Sequence, residues 1–443
     1  MSLRTAESGR RARRACAAVG ALILACIPAS AQALPQKTLA ECIAIALEHQ
    51  PTLKAATASI AAAEQRVWQA ASGYLPQVGA AYSVQRQMTS VAANTQTGFD
   101  EQTQTFTFYR TGVNFSQLLF DFGQTLASIR SAQASARSIE ADRTTTRDSV
   151  ILAVQQAYFN VLAADRLLAV ADETVRQTTA QLDQARGRHE VGVAPKFDVT
   201  TAEVQVANAK LNQLAARNNV QVARETLRNA LGLNQPLDFD LVDTLAAARV
   251  YIGEAEALRI AYEYRPDLRS LVEQEAAQQE LIVSLQRQYF PNVTSAGSYL
   301  WSGTEYPLED TWNVGAFVNL SILSGGLTRA QIAEAKANLA VLEHSEEALR
   351  QDIALQVRQA ALNVEQAAES IGVAEKGAQQ ARESLALAEG RYATGVGNII
   401  ELTTAQVSLT SAEANYVQAL YGYQTSVAAL ENAMGRPVAL ERG

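Results

Sequence analysis

The sequence predicts a mainly α chain with a small β part: one long helical hairpin written twice, each copy preceded by a pair of strands. Three observations carry this. Arg188-His-Glu-Val-Gly192 and Arg391-Tyr-Ala-Thr-Gly395 lie 203 positions apart, as do Asp198 and Glu401, and Leu231-Gly232 and Met434-Gly435. Residues 123–189 and 326–392 are alanine-rich stretches of 67 residues, each without a proline. Ahead of each, the apolar pattern changes from helical spacing to a period of two.

The N-terminal segment is set apart from this frame. Arg4, Arg10, Arg11, Arg13 and Arg14 form a basic n-region, Ala15 to Ile27 an apolar core, and Ala31-Gln32-Ala33 a cleavage site. Residues 1–33 are therefore expected to be a secretory signal peptide. Ile23-Leu-Ala-Cys26 also resembles a lipobox, which would instead make Cys26 a lipidated N-terminus. The remainder carries 32 basic and 44 acidic residues, a balance of about −12 that disfavours nucleic acid as a partner. Its one cysteine is Cys42, so no intramolecular disulfide is expected.

Taken in order, residues 34–232 form the first repeat, 233–252 a linker containing Pro236, 253–435 the second repeat and 436–443 a tail. Thr38 to Glu48 has helical spacing, Pro51 interrupts it, and a second helix runs from about Thr52 to Ser72. Pro51 to Pro266 and Pro76 to Pro291 are both offset by 215, so the duplication includes these segments. Strand pairs are expected within 76–117 and 291–321. Val78, Ala80, Tyr82 and Val84 alternate with polar or small neighbours, as do Tyr109, Thr111, Val113 and Phe115, and Trp312, Val314, Ala316 and Val318. Val293 to Trp301 is a weaker version. Each segment is about ten residues, the length a tilted strand needs to cross a bilayer. Polar loops, around Met88 to Gln104 and Ser302 to Asp310, are expected to join the strands of each pair.

The long hairpins are expected at 123–231 and 326–434, with return helices from about Lys196 to Leu231 and Ile399 to Met434. Ile332, Leu339, Leu342, Leu349, Ile353 and Val357 keep one apolar seam on the second long helix. A helix of that length would reach on the order of 100 Å.

After the leader there is no run of eighteen apolar residues, so the strands are the only candidates to cross a membrane. Four strands cannot close a barrel, and an open edge in lipid leaves backbone groups unpaired. Closure must be shared between chains. Two chains would give eight strands and three would give twelve, of which the larger leaves a lumen that suits the Gly, Ser, Asn and Gln on the inward positions. A rival reading is a non-conducting periplasmic coiled-coil protein with a β tip. A stand-alone porin would leave the duplicated helical hairpins unexplained.

Gly73-Tyr-Leu-Pro-Gln-Val78, its copy Tyr289-Phe-Pro-Asn-Val293, Ser116-Gln-Leu-Leu-Phe-Asp-Phe-Gly123 and the two hairpin tips together resemble the TolC family of outer-membrane efflux and secretion ducts. The resemblance covers essentially all of the chain after the leader. It implies a homotrimer in the outer membrane of a Gram-negative bacterium, with a twelve-stranded transmembrane β-barrel surrounded by lipid. An α-barrel of twelve helices would continue through the periplasm. It further implies a passive duct in a tripartite efflux or type I secretion system, docked to a periplasmic adaptor and an inner-membrane pump. Carried across by position, Tyr392 and Asp198 would bond between neighbouring hairpins at the periplasmic gate. Glu401 would face the lumen, where three copies make a carboxylate ring. Val191, Gly192, Val193, Thr394, Gly395 and Val396 would be the small tips that meet the adaptor. Gly397, where many members have a bracing Arg, and Thr404, where some have a second acid, depart from the pattern. Fewer braces suggest a gate that opens more readily.

No enzyme is expected, and no cofactor. His49, His189 and His344 are scattered, and the lone Cys42 offers no metal pair. Asp121-Phe-Gly123 lacks the other motifs of a kinase, and Gly325-Gly326 lacks the Lys-Ser/Thr of a phosphate loop.

Overall fold

The structure, a computed structural model, describes residues 35–95, 98–243 and 252–436. The expected signal peptide, the Cys26 lipobox and most of the expected tail lie outside the described residues, as do residues 244–251 of the expected linker.

Each repeat opens with two short helices broken at a proline. In the first, α1 (Leu39–His49) and α2 (Pro51–Ala71) meet at Gln50, and in the second, α5 (Glu254–Tyr264) and α6 (Pro266–Arg287) meet at Arg265. Pro51 and Pro266 begin their helices, where a missing N–H costs no intrahelical bond. Thr38 and Glu41 close a capping box on α1.

The strands are β2 (Gln77–Thr95), β3 (Gly98–Phe120), β5 (Asn292–Gly303) and β6 (Glu309–Asn319). They form one antiparallel sheet in the order β2-β3-β5-β6, leaving β2 and β6 at its edges. Cross-strand partners share a face, so register tests the alternation directly. Val78 pairs Phe115, Ala80 pairs Val113, Val113 pairs Tyr299, and Tyr299 pairs Trp312. The opposite face holds Gly79 with Asn114, Asn114 with Ser298, and Ser298 with Asn313. The apolar face is open to its surroundings: Val78, Tyr82, Trp312 and Val318 are 71%, 62%, 70% and 69% exposed.

The first strand pair departs from expectation. Within the polar stretch from Met88 to Gln104 the ladder continues as far as Thr95 and Gly98, with Met88 opposite Thr105 and Thr95 opposite Gly98, so β2 and β3 have 19 and 23 residues. Its threonines and valine are good strand formers, and polarity alone does not end a strand whose neighbour continues the pairing. The second pair turns as expected, within 304–308.

The long helices are α3 (Gln124–Glu190) and α7 (Leu327–Ala393), each 67 residues, returning through α4 (Lys196–Ala230) and α8 (Ile399–Met434). Among the described residues no helix is long and apolar enough to cross a membrane. The seam expected on α7 lies on its packed side, half-buried from Ile332 to Leu349 and fully buried at Ile353 and Val357.

The two largest cores lie at the middle of α3 and of α7, and their residues correspond. Cys42, Ala46, Val154, Val161, Leu227 and Leu231 in the first match Ala257, Ala261, Val357, Val364, Leu430 and Met434 in the second. Part of the expected linker is folded into the first core. There β4 (Asp240–Leu241) pairs in parallel with β1 (Gln36–Lys37), Phe239 is buried, and the Tyr158 hydroxyl donates to Val242 O at 2.5 Å.

Candidate gate at the hairpin tips

Both long helices end in the same turn. Val193 N and Ala194 N donate to Arg188 O at the first tip, and Val396 N and Gly397 N donate to Arg391 O at the second. Gly192 and Gly395 carry the positive φ this turn requires, +77° and +79°. The six tip residues Val191, Gly192, Val193, Thr394, Gly395 and Val396 are all exposed, so the two loops present backbone and small side chains to their surroundings.

Just inside the tips the repeats diverge. The Tyr392 hydroxyl donates to Asp198 Oδ2 at 3.2 Å, joining the second hairpin to the first. Tyr392 is only 2% exposed, packed among Leu385, Ala388 and Ile399. Its phenol is held above the usual tyrosine range, first by burial and then by the Asp198 carboxylate it bonds, with the Arg188 charge opposing. Its repeat mate His189 instead contacts Ala194 O through Nδ1 at 2.8 Å, within its own loop.

Glu401 does not join that pair. Its Oε1 lies 3.0 Å from Arg391 Nε, and its backbone N–H is capped by Asn398 Oδ1 at 2.8 Å. Both members of the ion pair stay partly open to solvent, at 54% and 41% of side-chain exposure. Thr404 is exposed one turn further along α8. At Gly397 a Cβ would stand 3.0 Å from Arg391 Cβ and 3.1 Å from Tyr392 N, so this turn is built closely around a glycine.

Two participants were missed in the sequence. Arg188 crosses between the hairpins: Nη1 donates to Tyr392 O and, at 3.1 Å, to Ala393 O, while its guanidinium lies 4.9 Å over the Tyr392 ring. Arg391, at the same repeat position, stays in its own hairpin on Glu401. The 203-residue offset marks both arginines but not the direction each takes. Behind them, α3 and α8 meet through polar side chains. Thr174 and Thr410 hydroxyls are 3.1 Å apart, Gln406 Nε2 donates to Gln177 Oε1 at 2.7 Å, and Gln181 Nε2 donates to Gln406 Oε1 at 3.1 Å. Among the described residues no group of His, Cys, Asp or Glu side chains is arranged to hold a metal ion.

The fold agrees with that of known proteins. The family model for outer membrane efflux proteins matches residues 42–233 and 257–436. Outer membrane protein TolC of Vibrio cholerae is 25% identical over 415 residues, covering 90% of this chain and 91% of that protein. Outer membrane efflux protein BepC of Brucella suis is 23% identical, covering 96% and 91%. A membrane protein from Pseudomonas aeruginosa of known crystal structure superposes with a TM-score of 0.79 at 22% identity, covering 90% of this chain and 93% of that one. The chain belongs to the outer membrane efflux protein family. Its place is the outer membrane, with the sheet in the bilayer and the helical hairpins reaching into the periplasm.

Proposed function

We propose that three copies of this chain assemble into a closed duct that carries cargo from a periplasmic adaptor and inner-membrane pump across the outer membrane. The observation that carries the reading is a four-stranded sheet, apolar on one face, whose edges β2 and β6 are both unpaired among the described residues. Edges in lipid must be paired, and twelve strands give a lumen where eight are filled by side chains. Helix packing supports repetition around an axis. Helix α6 packs against both α3 and α7, whereas its repeat mate α2 has its main packing on α3. Setting α2 of one copy against α7 of the next restores the missing neighbour.

In this reading the apolar sheet face meets lipid and the Asn114, Ser298 and Asn313 face lines the lumen. Tyr392 and Asp198 hold the hairpins together at the periplasmic end, Glu401 supplies one carboxylate per chain to the constriction, and the six exposed tip residues meet the adaptor. The protein does no chemistry on its cargo. Conductance of the detergent-purified protein in a planar bilayer, with its mass by cross-linking in the same preparation, tests the reading. A trimer passing small, cation-biased currents supports it; a protein extracted without detergent and passing no current refutes it in favour of a coiled-coil scaffold.

A further inference from the structure

The two kinds of helix interface near the tips differ in chemistry. Inside each hairpin the buried contact is apolar, Leu182, Ala185, Ala202 and Val206 in the first and Leu385, Ala388, Leu402, Ala405 and Leu409 in the second, flanked by the partly exposed ion pairs Arg186–Glu203 and Arg382–Glu413. Between the hairpins, along α3 and α8, the contact is the polar series Thr174–Thr410, Gln177–Gln406 and Gln181–Gln406 described above. Separating an apolar face exposes hydrocarbon to water, at a cost that grows with area. Separating a polar seam exchanges each hydrogen bond for one to water, at small net cost. Near the tips the hairpins are thus built to stay whole and to part from one another along α3–α8, while further along Val417 and Tyr421 of α8 remain in the apolar core with α3.

One residue closes that seam at its periplasmic end. Arg188 comes from α3, yet everything it grips belongs to the second hairpin: Tyr392 O, Ala393 O and the face of the Tyr392 ring. Those carbonyls end a 67-residue helix, where the aligned peptide dipoles favour a cation. A guanidinium stacked on a phenol gains further from the ring quadrupole. Among the described residues Arg188 has no carboxylate ion-pair partner, and its Nε is buried without an acceptor. The side-chain hydrogen bonds it makes therefore both cross the hairpin join, whereas Arg391 pairs within its own hairpin.

We infer that Arg188 is the latch of a polar parting seam: it positions Tyr392 for Asp198, and the gate opens by separating α3 from α8 after Arg188 lets go. This deepens the gated-duct reading and rests on it for its consequence, though not for its geometry.

The test uses full-length protein in detergent and in planar bilayers, with Arg188→Met, which keeps the aliphatic stem but removes every donor, and Arg188→Lys, which keeps the charge without the planar fork. Each is also placed in a Thr174→Cys/Thr410→Cys background, where the native hydroxyls lie 3.1 Å apart. Arg188→Met is expected to raise open-state current about tenfold and to slow disulfide formation across the seam, with Arg188→Lys intermediate. The disulfide should suppress the current, and a reductant should restore it. Unchanged current together with an unchanged cross-linking rate in Arg188→Met overturns the latch. Cross-linking that depends on Arg188 in a protein passing no current in any form keeps the latch and refutes the duct. An unchanged oligomer mass on cross-linking and an unchanged helical circular-dichroism spectrum show that the variants are folded.

Discussion

Tyr392 on α7 donates its hydroxyl to Asp198 on α4 at 3.2 Å, and this bond joins two hairpins that are copies of each other. The copies differ where it counts. In the first, His189 turns back into its own loop, and in the second, Tyr392 reaches out. Duplication supplied the same turn twice, and divergence at this position made one copy the donor and the other the acceptor.

Removing that hydroxyl gives the most direct prediction. Tyr392→Phe keeps the buried ring among Leu385, Ala388 and Ile399 and deletes only the donor. A partly exposed hydrogen bond of this kind contributes about 1 kcal/mol, so the ratio of open to closed gate should rise about fivefold per chain. Planar-bilayer conductance reads this, and a Tyr392→Phe current equal to that of the wild type removes the bond from the gate. Alkali should act in the same direction. Burial and the Asp198 carboxylate raise the phenol's pKa in the closed state. The closed state therefore binds the proton more tightly than an open one. Its stabilisation is complete below the ordinary tyrosine pKa of about 10 and is lost as pH rises through the raised value. Current should climb above that range in the wild type and much less in Tyr392→Phe.

Glu401 and Arg391 make a paired prediction of opposite sign. Their 3.0 Å ion pair is half open to water and contributes little to stability, so either side chain can be changed without unfolding the tip. Glu401→Gln removes the carboxylate proposed for the constriction, one per chain, and should relieve block by multivalent cations. Arg391→Gln leaves that carboxylate uncompensated and should deepen the block, because unscreened like charges add to the local potential. Block that is unchanged in Glu401→Gln takes Glu401 out of the constriction.

At the tips, Gly192 has nothing within 4 Å of where a Cβ would stand, but its φ of +77° disfavours any side chain. Gly192→Trp should therefore cost about 1 kcal/mol of local strain while leaving assembly intact, and it places a bulky ring on the proposed adaptor surface. Transport in cells should be lost while cross-linking still gives the same oligomer. Normal transport would count against docking at this turn.

How much of this was legible depends on the kind of interaction. The long helices and their turns follow from local chemistry: absence of proline, glycine at φ-positive positions and a 203-residue offset, and the helices ended within two residues of expectation. The Tyr392–Asp198 contact was reached through resemblance, since nothing local pairs two residues 194 positions apart. Arg188 and the polar seam were missed because they are contacts between copies. A repeat predicts what the copies share, and here the same arginine bonds inward in one hairpin and outward in the other. The extended β2–β3 ladder was missed for a related reason. Met88 to Gln104 reads as a loop by polarity, and only pairing with a neighbour makes it a strand.

The entry to α3 shows a motif whose letters were plain and whose role was not. Asp121, 4% exposed, accepts from Thr125 N at 2.7 Å through Oδ2, and from Gly123 N at 3.1 Å and the Tyr74 hydroxyl at 3.0 Å through Oδ1. One carboxylate thus caps the first turn of a 67-residue helix and ties it to the segment leading into β2. The Ser324 side chain, at the matching repeat position, makes among the described residues only a 3.3 Å contact with the Thr328 hydroxyl, so the first repeat depends on its cap more than the second. Asp121→Ala strands two backbone donors and a tyrosine hydroxyl in a buried site, which should cost about 2 kcal/mol. Asp121→Asn keeps one acceptor oxygen and should recover part of that. Heat denaturation of the detergent-solubilised protein, followed by circular dichroism, should show the midpoint falling in the order wild type, Asn, Ala. Ser324→Ala should stay near wild type, and an equal loss at both positions would show that the strand-to-helix junction, not the Asp121 cap, sets the stability there.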